Sequence, residues 1–106
     1  MDFVKLLKQC QGFQWDKGSQ DKNKEKHNVF NNESEQVFFN QPLFVFDDEV
    51  HPKNEKRYGA LGQANNGRLL AIFFTTRNNK IRIISARNMS SKDKKVYDQQ
   101  QKTAQF

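Results

Sequence analysis

The chain has 106 residues, 35% of them hydrophobic, a single cysteine and a net charge of +6. One cysteine, Cys10, excludes an internal disulfide and a thiolate zinc site, and no apolar run approaches the roughly 20 residues of a membrane span. The charge is unevenly divided: residues 1–55 hold seven Lys/Arg against ten Asp/Glu, residues 56–106 eleven against two, balances of −3 and +9. That asymmetry points to a polyanionic partner on one side of the fold. The length fits one domain with a modest core, to which ten phenylalanines bring most of the apolar area. The opening segment carries lysines inside a short apolar stretch and does not read as a signal peptide, so a reduced, cytoplasmic setting is expected.

Phe3, Val4, Leu6, Leu7 and Cys10 recur at helical spacing and predict a short first helix. Phe13 to Trp15 reads as a brief strand. Residues 17–27 are almost wholly polar but helix-compatible, with Asn28 able to end a helix in the left-handed conformation. A helix is expected from Asn32 to Phe39, capped by Asn31 or Asn32, with Glu33 and Glu35 at its positive end. From Pro42 the period shortens to that of strands: Leu43–Phe46, Arg57–Gly62, Arg68–Thr76 and Lys80–Ala86. Asn65-Asn-Gly67 and Asn78-Asn79 supply hairpin turns. Ser90 or Ser91 caps a last helix from Lys92 to about Gln101, and a frayed tail follows. The order is α+β: N-terminal helices, an antiparallel sheet of three to four strands, and a C-terminal helix.

Alternation puts Leu69, Ala71, Phe73, Thr75 and Arg77 on one face of the central strand. On the next strand it groups Arg82 with Ile84 and Ala86, and Arg87 with Ile81, Ile83 and Ser85. Arg77 and Arg87 then stand at strand ends, where a rigid backbone presents a guanidinium fork to phosphate oxygens. Arg68, after the hairpin glycine, is expected to bind local backbone or Glu55. Trp15 is expected to anchor the core, and His51 to lie in a polar loop.

In order along the chain, Phe13-Gln-Trp15-Asp16, Lys26-His27, Val37-Phe38, Glu55-Lys-Arg57-Tyr, Gly67-Arg68-Leu69-Leu70, Phe74-Thr-Thr-Arg77 and Arg82-Ile-Ile-Ser-Ala-Arg87, with Tyr97, resemble the BrnT toxins. These are ribonucleases of bacterial type II toxin–antitoxin systems with a RelE-like fold. The run Arg82–Arg87 after a strand ending in Thr-Arg is the most specific part. Asn28 replaces the usual glycine after Lys-His, and residues 17–25 lack the usual alanines. On this reading residues 1–12 are an extension, 13–101 the toxin domain and 102–106 a tail.

The resemblance implies metal-independent RNA cleavage without a cofactor, by attack of the ribose 2′-OH on the adjacent phosphate. Such a reaction needs a base, positive charge on the crowded phosphate and an acid for the leaving oxygen. His27 and Glu55 are the candidates for base, while Arg57, Arg77 and Arg87 are the candidates for phosphate. Thr75 is a further phosphate donor, and Tyr97 is a stacking or proton-donating group that reads equally well as a core residue. The implied partners are RNA and a BrnA-like, DNA-binding antitoxin, in a dimer or a toxin–antitoxin heterotetramer. Two other functions fit less of the sequence. One is a catalytically silent co-repressor acting with the antitoxin. The other is a general RNA-binding protein, against which stands the lack of an aromatic RNP-type pattern in the strands.

Overall fold

A computed structural model describes residues 12–15, 29–48 and 56–104. The predicted helices over 3–10 and 17–27 lie outside these residues, as do Cys10, His27, Asn28, His51 and Glu55.

The chain turns tightest where two asparagines meet. Asn78 and Asn79 have φ of 54° and 60°, the left-handed pair that a two-residue hairpin loop needs to match strand twist. They join β4 (Leu69–Arg77) to β5 (Lys80–Asn88). β3 (Tyr58–Gln63) pairs antiparallel with β4, and β2 (Phe44–Asp47) with β3. β1 (Phe13–Trp15) adds to the free edge of β5, but in parallel. The order is β1-β5-β4-β3-β2. Among the described residues the sheet therefore has five strands and is mixed, not antiparallel with three or four. Three residues of alternating pattern give a strand no direction; direction comes from the long intervening chain, which can carry β1 to the far edge as a parallel pair requires.

The helices α1 (Asn31–Val37) and α2 (Ser91–Ala104) pack on opposite faces of the sheet. The larger core lies under α1 and gathers Val37, Tyr58, Leu70, Ile72, Phe74, Ile81 and Ile83. Phe74, fully buried, is met edge-on by Phe38 at 5.1 Å and stacked by Tyr58 at 5.4 Å. Each such aromatic pair adds about 0.5–1.5 kcal/mol beyond area burial. Gly62 lets α1 approach closely, because a Cβ there would lie 2.8 Å from Val37 Cγ1. Trp15 packs on this core and donates to Glu35 Oε2 at 3.3 Å.

α1 is short and rich in weak helix formers, so tertiary contacts must hold it. Glu33 does most of this. Its carboxylate accepts from the Phe30 N–H at 3.1 Å, from Asn66 at 3.3 Å and from Arg68 Nη1 at 3.1 and 3.3 Å. Arg68 Nε donates onward to Asn88 Oδ1 at 2.7 Å. One ion pair thus ties the helix start to the β3–β4 turn and the end of β5. Arg68 reaches Glu33 because strand pairing brings the turn beneath α1; the expected partner Glu55 lies outside the described residues. The cap residue is Phe30, not Asn31 or Asn32, since Glu33 itself satisfies the exposed N–H.

Burial works to raise the Glu33 pKa, but the bonds from Phe30, Arg68 and Asn66 and the Arg68 charge outweigh it and hold the group below its ordinary 4.5. A depressed folded value means that this stabilisation is present above about pH 4.5 and is lost as pH falls through the folded value. Glu33→Gln is expected to cost about 1–3 kcal/mol at pH 7. It is also expected to lose less stability than the wild type between about pH 5 and pH 3. Urea unfolding at several pH values checks this, and parallel pH profiles for the two proteins would contradict it.

Candidate nucleic-acid interface

The face opposite α1 is set by one extra residue. Phe73 pairs with Ser85 but Phe74 with Ile83, which leaves Ile84 as a bulge in β5. A bulge inverts the phase of alternation beyond it. Ala86 therefore joins Ile81 and Ile83 in the core under α1. Arg82, opposite Thr75, and Arg87, opposite Ala71, emerge on one face instead of the two that unbroken alternation predicts.

Rows of side chains cross this face from strand to strand. One row is Phe46, Gly59, Phe73 and Ser85. Towards the β4–β5 turn follow Thr75, Arg82 and Gln14, then Arg77 with Lys80. In the other direction lie Phe44, Leu61, Ala71 and Arg87. α2 covers that last end, where Tyr97, Met89 and Val96 pack on Leu61 and Ala71. The part left uncovered carries Arg77, Lys80 and Arg82, while Arg87 lies beside α2.

The predicted site residues divide accordingly. Arg57 lies at the entry to β3, where the Asp48 N–H donates to its carbonyl at 3.0 Å. Its Nε is 3.8 Å from Asp48 Oδ2, and both atoms are buried without a hydrogen bond. Thr75 is buried and donates its hydroxyl to Lys56 O at 2.6 Å. Arg77 ends β4 beside the turn, half-buried. Arg87 is held by Asp93 at 2.5 Å and by Asn88 O at 3.1 Å, and lies 5.5 Å from the Phe73 ring centroid. Arg77 and Arg87 belong to rows six strand residues apart, about 20 Å, too far for the two to grip one small anion together. Tyr97 is a core residue, 1% exposed, whose hydroxyl donates to Pro42 O at 2.6 Å.

The arginine missing from the sequence-based set is Arg82, which the two-residue turn sets opposite Thr75; the bulge beyond it then moves Arg87 to the same face. No residue type marks such a bulge, so strict alternation hides it. Among the described residues no group of three or more His, Cys, Asp or Glu is placed to hold a metal ion.

Asp93 fixes the far end of the face. Burial works to raise its pKa, but the bonds from Arg87 and from Ser90 outweigh this and hold it below its ordinary 3.8. It accepts from the Ser90 N–H at 2.9 Å while its own N–H donates to Ser90 Oγ at 3.1 Å, a reciprocal cap at the start of α2. The same carboxylate thus starts the helix and aims Arg87.

Comparison with known proteins adds a lineage to this geometry. The model of a family described as the ribonuclease toxin, BrnT, of type II toxin–antitoxin systems matches residues 15–93. A 1.1 Å crystal structure of the Brucella abortus ribonuclease toxin BrnT superposes with a TM-score of 0.57. The two are 23% identical, and the match covers 76% of this chain and 97% of that one, a likeness of fold. No curated protein matches.

Asp93→Ala removes the cap and the Arg87 partner together and is expected to destabilise the protein by about 1–2 kcal/mol. Ser90→Ala, which keeps the ion pair, is expected to cost less. Thermal unfolding of both variants measures the difference; equal costs would contradict the double role of Asp93.

Proposed function

Because the chain belongs to the family of BrnT ribonuclease toxins of type II toxin–antitoxin systems, we propose that it cuts RNA without metal on the open face of β3, β4 and β5. Membership implies an RNA target and an antitoxin partner. The proposed step is attack of a ribose 2′-OH on the adjacent phosphorus. The P–O5′ bond breaks, a base takes the 2′ proton, and an acid protonates the leaving 5′-oxygen. The products are a 2′,3′-cyclic phosphate and a free 5′-hydroxyl.

The observation that carries this reading is the single face on which the hairpin register and the Ile84 bulge gather Arg77, Lys80, Arg82 and Arg87, with Arg57 largely buried at its β3 side. Fixed guanidinium groups stabilise charge on a phosphorane at no reorganisation cost when the reaction occurs. Arg77 and Arg82 flank the turn end and are assigned to the reacting phosphate. Arg87, about 20 Å along the strands, is assigned to a neighbouring part of the RNA strand. His27 is assigned as base, from its intrinsic pKa, with Glu55 as the other proton-transfer group. Thr75 and Tyr97 act as positioning residues: one ties β4 to the backbone beside Arg57, the other anchors α2 to the Pro42 carbonyl. The partner on this reading is a DNA-binding antitoxin, the assembly a dimer or heterotetramer, the setting the cytoplasm and the outcome inhibited translation.

Purified protein is expected to cleave RNA in the presence of a chelator and to leave a strand with 2′-deoxyribose throughout intact. Arg82→Ala and Arg77→Ala are expected to lower kcat by about 100-fold or more. Arg87→Ala is expected to act mainly on KM. Cleavage that requires a divalent ion, or that survives all three substitutions, would overturn the assignment.

A further inference from the structure

The middle of the cationic face is aromatic. Phe46 and Phe73 stand in one row on either side of Gly59. The Phe46 ring reaches over that glycine, where a Cβ would lie 2.2 Å from its Cζ. The two rings meet edge to face at 6.5 Å and 85°. Phe44 stacks beside Phe46 at 5.6 Å. All three rings are only half-buried, although they border a core cluster. The patch is bracketed by charge: the row of Arg82 lies on the turn side, and Arg87, over the Phe73 ring, on the other.

Apolar rings between two cationic flanks match a ligand in which flat apolar groups alternate with anions. Single-stranded nucleic acid has that character, because its unpaired bases expose their faces between phosphates. A duplex hides those faces inside its own stack. An acidic protein segment would satisfy the arginines but offers no regular planar groups. The aromatics come from two strands, Phe46 from β2 and Phe73 from β4, which is why neither strand alone carries the pattern of an RNA-binding sheet.

We propose that Phe46 and Phe73 form a base-stacking subsite for an unpaired nucleotide of the RNA substrate. The proposal rests on the ribonuclease reading above and narrows its substrate to single-stranded RNA. Gly59 belongs to the subsite by its absence of a side chain, since any larger residue would displace the Phe46 ring.

The test uses the whole protein and a 2′-O-methyl oligonucleotide, which has no attacking hydroxyl and is not cut. Its binding as a single strand is compared with that of its duplex and of inorganic polyphosphate. Phe46→Leu and Phe73→Leu keep apolar volume and lose the π-face, and thermal unfolding verifies that each is folded. Each is expected to weaken single-strand binding by roughly 5- to 100-fold. For Phe46→Leu, polyphosphate binding and the slope of log K against log salt should stay unchanged, because the phosphate contacts remain. Phe46→Trp should restore single-strand affinity. Equal losses for single strand and polyphosphate, no loss for either, or wild-type binding to duplex as tight as to single strand would overturn the subsite. If the wild type cuts RNA while both leucine variants bind and cut normally, the subsite fails and the ribonuclease reading stands. If the wild type binds no RNA, that reading fails first and the subsite with it.

Discussion

A strand alternates with a period of two, so one inserted residue reverses every side chain beyond it. Ile84 is that residue, and the molecule is organised around the reversal. Before it, Ile81 and Ile83 point into the core and Arg82 points out; after it, Ala86 points in and Arg87 out. Without the bulge, one of the two arginines would enter an apolar layer, where an unpaired guanidinium costs several kcal/mol. The same slip that keeps the core apolar collects positive charge on one face. Packing and electrostatics are answered by one local irregularity.

The two faces divide the work. The α1 side carries the larger core, and its polar clamp of Glu33, Arg68 and Asn88 is closed within the protein. The α2 side has a smaller core, gathered around Leu61, Ala71, Met89 and Tyr97. On it, Asp93 holds Arg87 and Asp48 lies near Arg57. A carboxylate beside each of these arginines restrains the side chain in the unbound state. Restraint of this kind reduces the entropy that a guanidinium group loses when it engages any ligand.

Much of the frame was legible in the sequence. Asn78-Asn79 announces its hairpin because few residues accept the left-handed conformation, and Ser90 announces α2 because a hydroxyl before a helix has a clear use. The strands β2 to β5 follow from alternation within a residue or two. Three features were hidden. The parallel direction of β1 depends on where the chain travels between Trp15 and β2. The Glu33–Arg68 pair joins positions 35 apart in sequence, and nothing local favours it over Glu55. The shared face of Arg82 and Arg87 depends on a register slip that has no compositional signature. Thr75 and Tyr97 have residue types suited to chemistry, and their burial and hydrogen bonds to carbonyls emerge only from three-dimensional packing. In each case the missing information is long-range geometry, not residue chemistry.

The parallel pairing of β1 also bears on how the molecule is made. Phe13 aligns with Ile81 across 68 positions of chain, whereas the β4–β5 hairpin closes over two residues. Closing the longer loop costs more entropy, and its contacts reward it only once β5 is in place. During synthesis β1 leaves the ribosome first and waits for the last strand of the sheet. The strand it waits for is the one that carries Arg82, Ile84 and Arg87. Completion of the sheet and the gathering of Arg82 and Arg87 on one face are therefore a single event, and a nascent chain short of β5 has neither.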